Sequence, residues 1–144
     1  MLKQFYEKVL PTQGVYCVTA IDKNKTPYNR FAESLTELTT LIETLKNRQV
    51  NIFVAPGSFH SQSRKASNSA YMRSLFIDLD VGDTKDYKTK MEALDALEHL
   101  MKATDLPPPA VVDSGGGIHA YWAFDEDIPV SDLVLIDKCG HVPQ

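Results

Sequence analysis

The spacing of apolar residues along the chain predicts three helices and a larger number of strands. Apolar positions three and four residues apart recur over residues 2–10, 34–48 and 89–104, as on the buried face of a helix. Runs rich in β-branched and aromatic residues predict strands over 15–21, 51–55, 74–81, 110–113 and 118–124, with a further extended piece at 27–31. Because helices and strands interleave, we expect an α/β or α+β fold, with an N-terminal αβ module followed by a β-α-β-β unit.

Capping and proline residues indicate where these elements end. Ser34 with Glu37 forms a capping-box pattern, and Thr89 is a candidate cap for the third helix. Prolines 107–109 form a stiff connector to the strand at 110–113. A right-handed crossover would place that strand next to the one at 74–81, so that the two strand ends meet. Residues 58–70 are expected to form a polar loop and residues 125–129 an acidic turn.

Two acids end the apolar strand at 74–81. Side chains alternate along a strand, so Asp78 and Asp80 point to the same face, and burying either without a partner would be costly. Two carboxylates at a strand end suit a hard divalent cation, Mg²⁺ or Mn²⁺, which takes its other oxygens from water and a substrate phosphate. The alternative is that the pair simply ends a strand in solvent.

Basic and glycine-rich segments flank these acids in the sequence. Arg64 and Lys65 lie in the polar loop, and Arg73 directly precedes the acidic strand, which favours phosphate binding over a merely solvated loop. Farther along, a run of three glycines would let amide N–H groups approach an anion, although it also suits a plain hairpin turn (Ser114, Gly115, Gly116, Gly117). His119 is expected on the polar face of the strand that follows, where a surface histidine without a role is the alternative.

Length, charge and cysteine content narrow the class of protein. The 144 residues fit one domain, 1–144, of ordinary globular composition, and the net charge of −4 argues against a surface that is basic throughout. Cys17 and Cys139 are far apart and in no metal-binding spacing, so we expect free thiols in a reducing, cytoplasmic compartment. No signal segment or membrane-spanning run is apparent, and we expect no membrane partner.

Together the two polar segments resemble the motifs of the archaeo-eukaryotic primase superfamily. The resemblance is strongest to the primase-polymerase domains of phage and plasmid replication proteins. It rests on the run from Arg64 through Arg73 and Ser74 into Phe76–Asp80, and on the run Val112–Trp122. It implies an N-terminal αβ module and an incomplete RRM-like β-α-β-β unit of the primase-polymerase fold.

The resemblance also implies a function and roles for the residues. Asp78 and Asp80 would be catalytic ligands of Mg²⁺ or Mn²⁺, and the loop at 114–117 and His119 would bind the nucleotide, with Arg64, Lys65 and Arg73 as further phosphate contacts. The reaction would be template-directed transfer of an NTP or dNTP to a 3′-hydroxyl on single-stranded DNA. Two metals would hold the hydroxyl and the leaving pyrophosphate. A helicase partner or self-association through an open sheet edge would fit this role.

Such enzymes carry a third carboxylate on a later strand. Here the chain ends about 25 residues after His119, with no room for that helix and strand, so we expect a C-terminally truncated domain. Asp137, which follows an apolar run, is the weak candidate for the third ligand.

Three other interpretations stay open from the sequence. The first is a primase-derived module that binds nucleotides or nucleic acid without catalysis. The second is a phosphatase of the haloacid-dehalogenase type, although Gly82 stands where that fold wants Thr or Val. The third is an α/β domain in which neither motif has a function.

Overall fold

The computed structural model describes residues 2–132, which form two compact units. Of these residues, the first unit holds those up to Arg73 and from Phe124 onwards, and the second holds Ser74–Ala123. Helices and antiparallel strands are mixed, which confirms the expected α+β class. One domain over 1–144 stays a prediction, and Asp137 and Cys139 lie outside the described residues.

The first unit is built on a three-stranded antiparallel sheet backed by one helix, against which a second helix packs. Along the chain these are α1 (Leu2–Val9), β1 (Tyr16–Ile21), β2 (Pro27–Ala32), α2 (Leu35–Lys46) and β3 (Asn51–Val54), with the strand order β2-β1-β3. Helix α2 packs against all three strands. Leu38, Ile42 and Leu45 supply the buried face of α2. The fully buried residues of β1 are Cys17, Val18 and Ala20.

The predicted start of α2 is confirmed in atomic detail. The Ser34 hydroxyl accepts a hydrogen bond from the Glu37 backbone N–H at 3.1 Å. The Glu37 carboxylate in turn accepts from the backbone N–H of Glu33 at 2.9 Å, one residue before the cap. Two amide groups at the helix start are thereby satisfied.

Residues 58–70 are not one loop, which corrects the expectation from the sequence. A short strand, β4 (Gly57–Phe59), pairs with the start of β5 (Ser69–Asp80), and a 3₁₀ turn covers Ala66–Asn68. Strand β5 therefore begins five residues before the predicted 74. Polar composition concealed this pairing because Ser58 is buried between Gly57 and Phe59 and is no loop residue.

The second unit contains the order β5-α3-β6-β7 that the sequence predicted. Helix α3 (Lys90–Thr104) is capped by Thr89, whose hydroxyl accepts from the Glu92 N–H at 3.2 Å. Strands β6 (Ala110–Asp113) and β7 (Gly117–Pro129) form an antiparallel hairpin.

Strand β6 does not lie next to β5, and that expectation was wrong. The order in the sheet is β5-β7-β6, so β7 is inserted between the two strands that α3 connects. This is the arrangement of a split β-α-β unit. It places β7, whose Ile118, Ala120 and Trp122 are buried, in the middle of the sheet and leaves the short β6 at the edge.

Alternate residues of β5 and β7 form the core beneath α3. Leu97 of α3 packs in a cluster with Ala120 and Trp122, to which Ile77 and Leu79 of β5 also contribute. The Trp122 indole N–H donates to the carbonyl of Pro107 at 2.7 Å, which ties the proline connector to the sheet. The residues between these, at even positions of β5 and odd positions of β7, belong to the opposite face of the sheet.

Strand β7 continues through residues 125–129, so the acidic turn expected there is wrong. The correction has a local cause. The Asp127 side chain is only 3% exposed and accepts a hydrogen bond from Arg73 at 3.0 Å. It also accepts from the backbone N–H groups of Thr12 and Gln13. A buried acid with this many donors is stable in a strand, whereas an unpaired one would not be.

Candidate nucleotide and metal site

Asp78 and Asp80 lie on the face of the second unit's sheet that is turned away from α3. Both residues are exposed, and the Asp78 side chain retains 47% of its accessible surface. Ile77 and Leu79, which alternate with them, contribute to the α3 core. The prediction that the two carboxylates share one solvated face of a strand is thus consistent with the packing on both sides of β5.

His119 projects from β7 onto the same face as Asp78. Its Nε2 lies 3.3 Å from Asp78 Oδ1, and a quarter of the imidazole surface is exposed. The contact arises because β7 is the direct neighbour of β5 in the sheet. The two sequence motifs, which are about 40 residues apart in the chain, therefore meet at one place.

The glycine loop closes the β6-β7 hairpin beside the end of β5. Ser114 N–H donates to the carbonyl of Gly117 at 3.0 Å, and the carbonyl of Gly116 accepts from Val81 N–H at 3.0 Å. Gly115 has φ +87°, a left-handed conformation that favours glycine. Ser114, Gly115 and Gly116 are exposed, so this loop borders the strand end that carries Asp80.

Gly117 is required for a different reason, the close approach of two backbones. A Cβ atom at this position would overlap the carbonyl oxygen of Leu79 and lie 3.1 Å from its carbonyl carbon. Only a residue without a side chain lets β7 start this near to β5. Gly117 thus brings the loop at 114–117 against the acidic strand end.

His119 lies beside two aromatic rings that are not among the predicted site residues, those of Phe76 and Tyr121. The Phe76 ring lies edge-on to the His119 ring at 5.1 Å between centroids, and the Tyr121 ring lies 4.9 Å from Phe76. Their positions could have been read from the period of two, since Phe76 precedes Asp78 by two residues and Tyr121 follows His119 by two. The cluster gives the acidic face an aromatic wall.

Two pKa shifts describe the charge around this site. Burial, followed by the negative charge of Asp78, raises the pKa of the Tyr121 phenol, so this hydroxyl stays protonated at neutral pH. The Lys90 ammonium, which lies 2.7 Å from Asp113, and the Gly115 amide lower the pKa of the Asp113 carboxyl. Asp113 is therefore ionised and bound to α3 and to the glycine loop.

The predicted basic contacts lie in the first unit, and two of them have protein partners. A guanidinium nitrogen of Arg64 donates to the Thr19 hydroxyl. Arg73 donates to the Asp127 carboxylate and, at 2.8 Å, to the carbonyl of Asp125. Lys65 is exposed next to the 3₁₀ turn. Their roles as phosphate contacts stay predictions.

The donor set at Asp78 and Asp80 fits a hard divalent cation that is only partly held by protein. Two carboxylate oxygens on one face suit Mg²⁺ or Mn²⁺, whose other positions water and phosphate oxygens commonly fill. Between residues 2 and 132, no three His, Cys, Asp or Glu side chains are grouped to hold a metal. The third protein ligand expected from the resemblance is thus not found in this part of the chain.

Comparison with known proteins finds a similarity to a replication protein. Over 86 residues the chain is 34% identical to a protein of Clostridium perfringens described as "Replication protein", and the match covers 59% of this chain. The chain spans about a fifth of the length of that relative, 20%. No family model matches the chain, and no solved structure matches it either.

Among residues 2–132, no helix is both long and apolar enough to cross a bilayer.

Proposed function

We propose that this chain is the nucleotidyl-transfer domain of a replication protein, acting as a DNA primase-polymerase. It would transfer an NTP or dNTP to a 3′-hydroxyl on a single-stranded DNA template. The observation that carries the proposal is the meeting of Asp78, Asp80 and His119 on one exposed sheet face, beside the glycine loop. The similarity to a replication protein supports the same biological role.

The charges of the site fit a nucleotide and a cation bound together. A triphosphate alone would be repelled by Asp78 and Asp80, and a cation alone would find only two carboxylates. When both are bound, the cation would neutralise the repulsion between the carboxylates and the triphosphate. The phosphate oxygens would in turn supply further ligands to the cation. Two amides of the loop are already engaged, since Ser114 N–H donates to Gly117 and Gly115 N–H donates to Asp113. The exposed Ser114 and Gly116 and the His119 ring would then bind phosphate oxygens.

Each residue has a defined part in this mechanism. Asp78 and Asp80 would hold Mg²⁺ or Mn²⁺, which, when bound, lowers the pKa of the attacking hydroxyl and stabilises the leaving pyrophosphate. His119 would orient the triphosphate, and its ring is itself held by the edge-on contact with Phe76. Gly117 keeps the loop close enough to β5 for both sets of groups to reach one ligand.

A second candidate function is binding of the nucleotide without transfer. It is favoured by one observation, that the described residues group two carboxylates and not three at this face. A chain of this kind would bind Mn²⁺ and NTP and would not extend a primer. The two candidates therefore differ in turnover and not in binding.

A primer-synthesis and extension assay on single-stranded DNA with Mn²⁺ tests the proposal. The chain is compared with Asp78→Asn, and with Asp95→Asn as a matched control, because Asp95 is an exposed acid on α3. Synthesis that is lost in Asp78→Asn and retained in Asp95→Asn supports nucleotidyl transfer. Absence of synthesis with intact Mn²⁺-dependent NTP binding supports the second candidate, and absence of both overturns the two together.

A further inference from the structure

The first unit carries a sheet face with an unusual composition. Strands β1, β2 and β3 contain no Asp or Glu, although the protein as a whole has a net charge of −4. At one end of the face turned away from α2, Cys17 and Phe31 belong to a buried cluster with Phe59. The rest of this face, which we call the Thr19 face, consists of the buried Thr19 and five more accessible residues: Ile21, Pro27, Asn29, Asn51 and Phe53. It is polar and aromatic and carries no acidic side chain.

The register of the strands arranges these side chains in rows. Thr19 pairs directly with Asn29 of β2 and with Phe53 of β3, so the three form one row across the sheet. Ile21 pairs with Pro27 and Asn51 in the next row. Directly paired residues lie on the same face of a sheet, so the six side chains form one surface.

The Arg64 side chain contacts the middle of this surface. The Arg64 guanidinium donates to the Thr19 hydroxyl, which in turn donates to Asn29 Oδ1 at 2.7 Å. Arg64 itself is exposed, and its guanidinium has further N–H donors besides the one that contacts Thr19. The nearest acid in sequence, Asp22, accepts from the backbone of Asn24 and Thr26 within the β1-β2 turn.

The aromatic residue of the row is exposed to solvent. Phe53 keeps 52% of its surface accessible, whereas Phe31 on β2 packs against the buried cluster around Cys17. The exposed Phe53 ring lies at the border of the acid-free face, because β3 is an edge strand of this sheet. Its face is available for stacking with a planar partner.

We infer that the Thr19 face binds single-stranded nucleic acid. Single strands are bound by exposed aromatic rings that stack on bases, together with cationic groups that follow the backbone. Phe53 supplies the ring, Arg64 the cation, and the Asn29 and Asn51 amides supply donors and acceptors for base edges. Acidic residues on this surface would repel the phosphates of a nucleic acid, whereas a protein partner could accommodate them. The absence of acids therefore favours a nucleic acid.

Apart from Arg64, the residues of the Thr19 face lie outside the proposed nucleotide site. That the bound strand is the template rests on the proposed function. Binding is measured by fluorescence anisotropy of a labelled oligothymidylate of about 20 nucleotides, longer than the site of a typical single-strand-binding fold. The same oligomer annealed to its complement serves as the duplex competitor. We expect the chain to prefer the single strand and its affinity to fall between about 50 and 200 mM salt.

Three variants locate the contact. Phe53→Ala should weaken binding roughly 5- to 150-fold, the range for loss of one stacked base. Asn51→Asp should weaken it by placing an acid on the face, whereas Gln4→Glu, which adds the same charge on α1, should not. Arg64→Gln should reduce the slope of log affinity against log salt by about 0.7. Met91→Ala on α3, which removes a 66% exposed apolar side chain, is the control for Phe53.

The outcomes separate this inference from the proposed function. Loss of oligonucleotide binding in Phe53→Ala with unchanged Mn²⁺-dependent NTP binding supports the inference, and it does so even if no primer is ever extended. Unchanged binding in both Phe53→Ala and Asn51→Asp overturns it, as does a preference for the duplex. A dimer in sedimentation that dissociates in Phe53→Ala also overturns it, because the face would then join two copies of the chain.

Discussion

His119 Nε2 lies 3.3 Å from Asp78 Oδ1, across the β5-β7 pair of the second unit. This contact joins an acid that would hold a cation to a ring that would hold a triphosphate. A cation bound at Asp78 would compete with the imidazole for this carboxylate. Ligands that carry both a cation and a phosphate chain relieve this competition, because each group then has its own partner.

The two acids are expected to be separately essential for metal-dependent binding. Asp78→Asn and Asp80→Asn should each weaken Mn²⁺-dependent NTP binding more than about tenfold, since loss of even an outer-shell partner of a metal costs about 10- to 100-fold. Titration calorimetry with and without Mn²⁺ measures this, and circular dichroism shows whether the fold is retained. Affinity in both variants equal to that of Asp95→Asn would remove the metal site.

His119 is expected to act on the phosphates and not on the base. His119→Ala should weaken binding of a nucleoside triphosphate by about 10- to 150-fold, the equivalent of one hydrogen bond to a charged group, and leave the nucleoside unaffected. Calorimetry with the triphosphate, the monophosphate and the nucleoside gives the comparison. His99→Ala, at an exposed position of α3, is the matched control. An equal loss for all three ligands would contradict the phosphate role.

Two neighbouring glycines should respond differently to the same substitution. Gly117→Ala places a Cβ against the Leu79 carbonyl and should lower the free energy of unfolding by about 1–3 kcal/mol or more, the cost of overpacking. Gly116→Ala meets no atom within 4 Å and should change it little. Urea unfolding of both variants measures the difference. Equal stability would mean that β7 does not approach β5 as closely as described.

Asp127 should stabilise the first unit in a pH-dependent way. Burial raises the pKa of this carboxyl, but hydrogen bonds from Thr12, Arg73 and Gln13 outweigh it and hold the pKa below its ordinary value. The stabilisation is therefore present above the unfolded pKa of about 3.9 and is lost as the pH falls through the lower folded pKa. Asp127→Asn should lower the free energy of unfolding at pH 7 by about 2–3 kcal/mol.

The comparison across pH distinguishes this effect from a simple packing defect. The stability difference between the wild type and Asp127→Asn should shrink as the pH falls below about 4, because protonation removes the same charge from the wild type. Asp125→Asn is the control, since Asp125 is exposed and contributes only its backbone carbonyl to Arg73. A difference that does not change with pH would show that the charge of Asp127 is not what stabilises the unit.

Local signals in the sequence were sufficient for the helices, the caps and the two motifs. The Ser34 and Thr89 hydroxyls accept from residues three positions on, so their role depends only on near neighbours in the chain. The common face of Asp78 and Asp80, and the outward position of His119, likewise follow from the period of two along a strand. The sequence by itself determines these features, because each depends on interactions or geometry within a few neighbouring residues.

The arrangement of the strands was decided by tertiary structure alone. The crossover rule placed β6 next to β5, but the apolar face of β7 gains more burial in the centre of the sheet, and β7 is what brings His119 to Asp78. Asp127 was assigned to a turn because its partners, Thr12 and Arg73, are distant in the chain. The row Asn29–Thr19–Phe53 depends in the same way on a register between three strands, which no local pattern records.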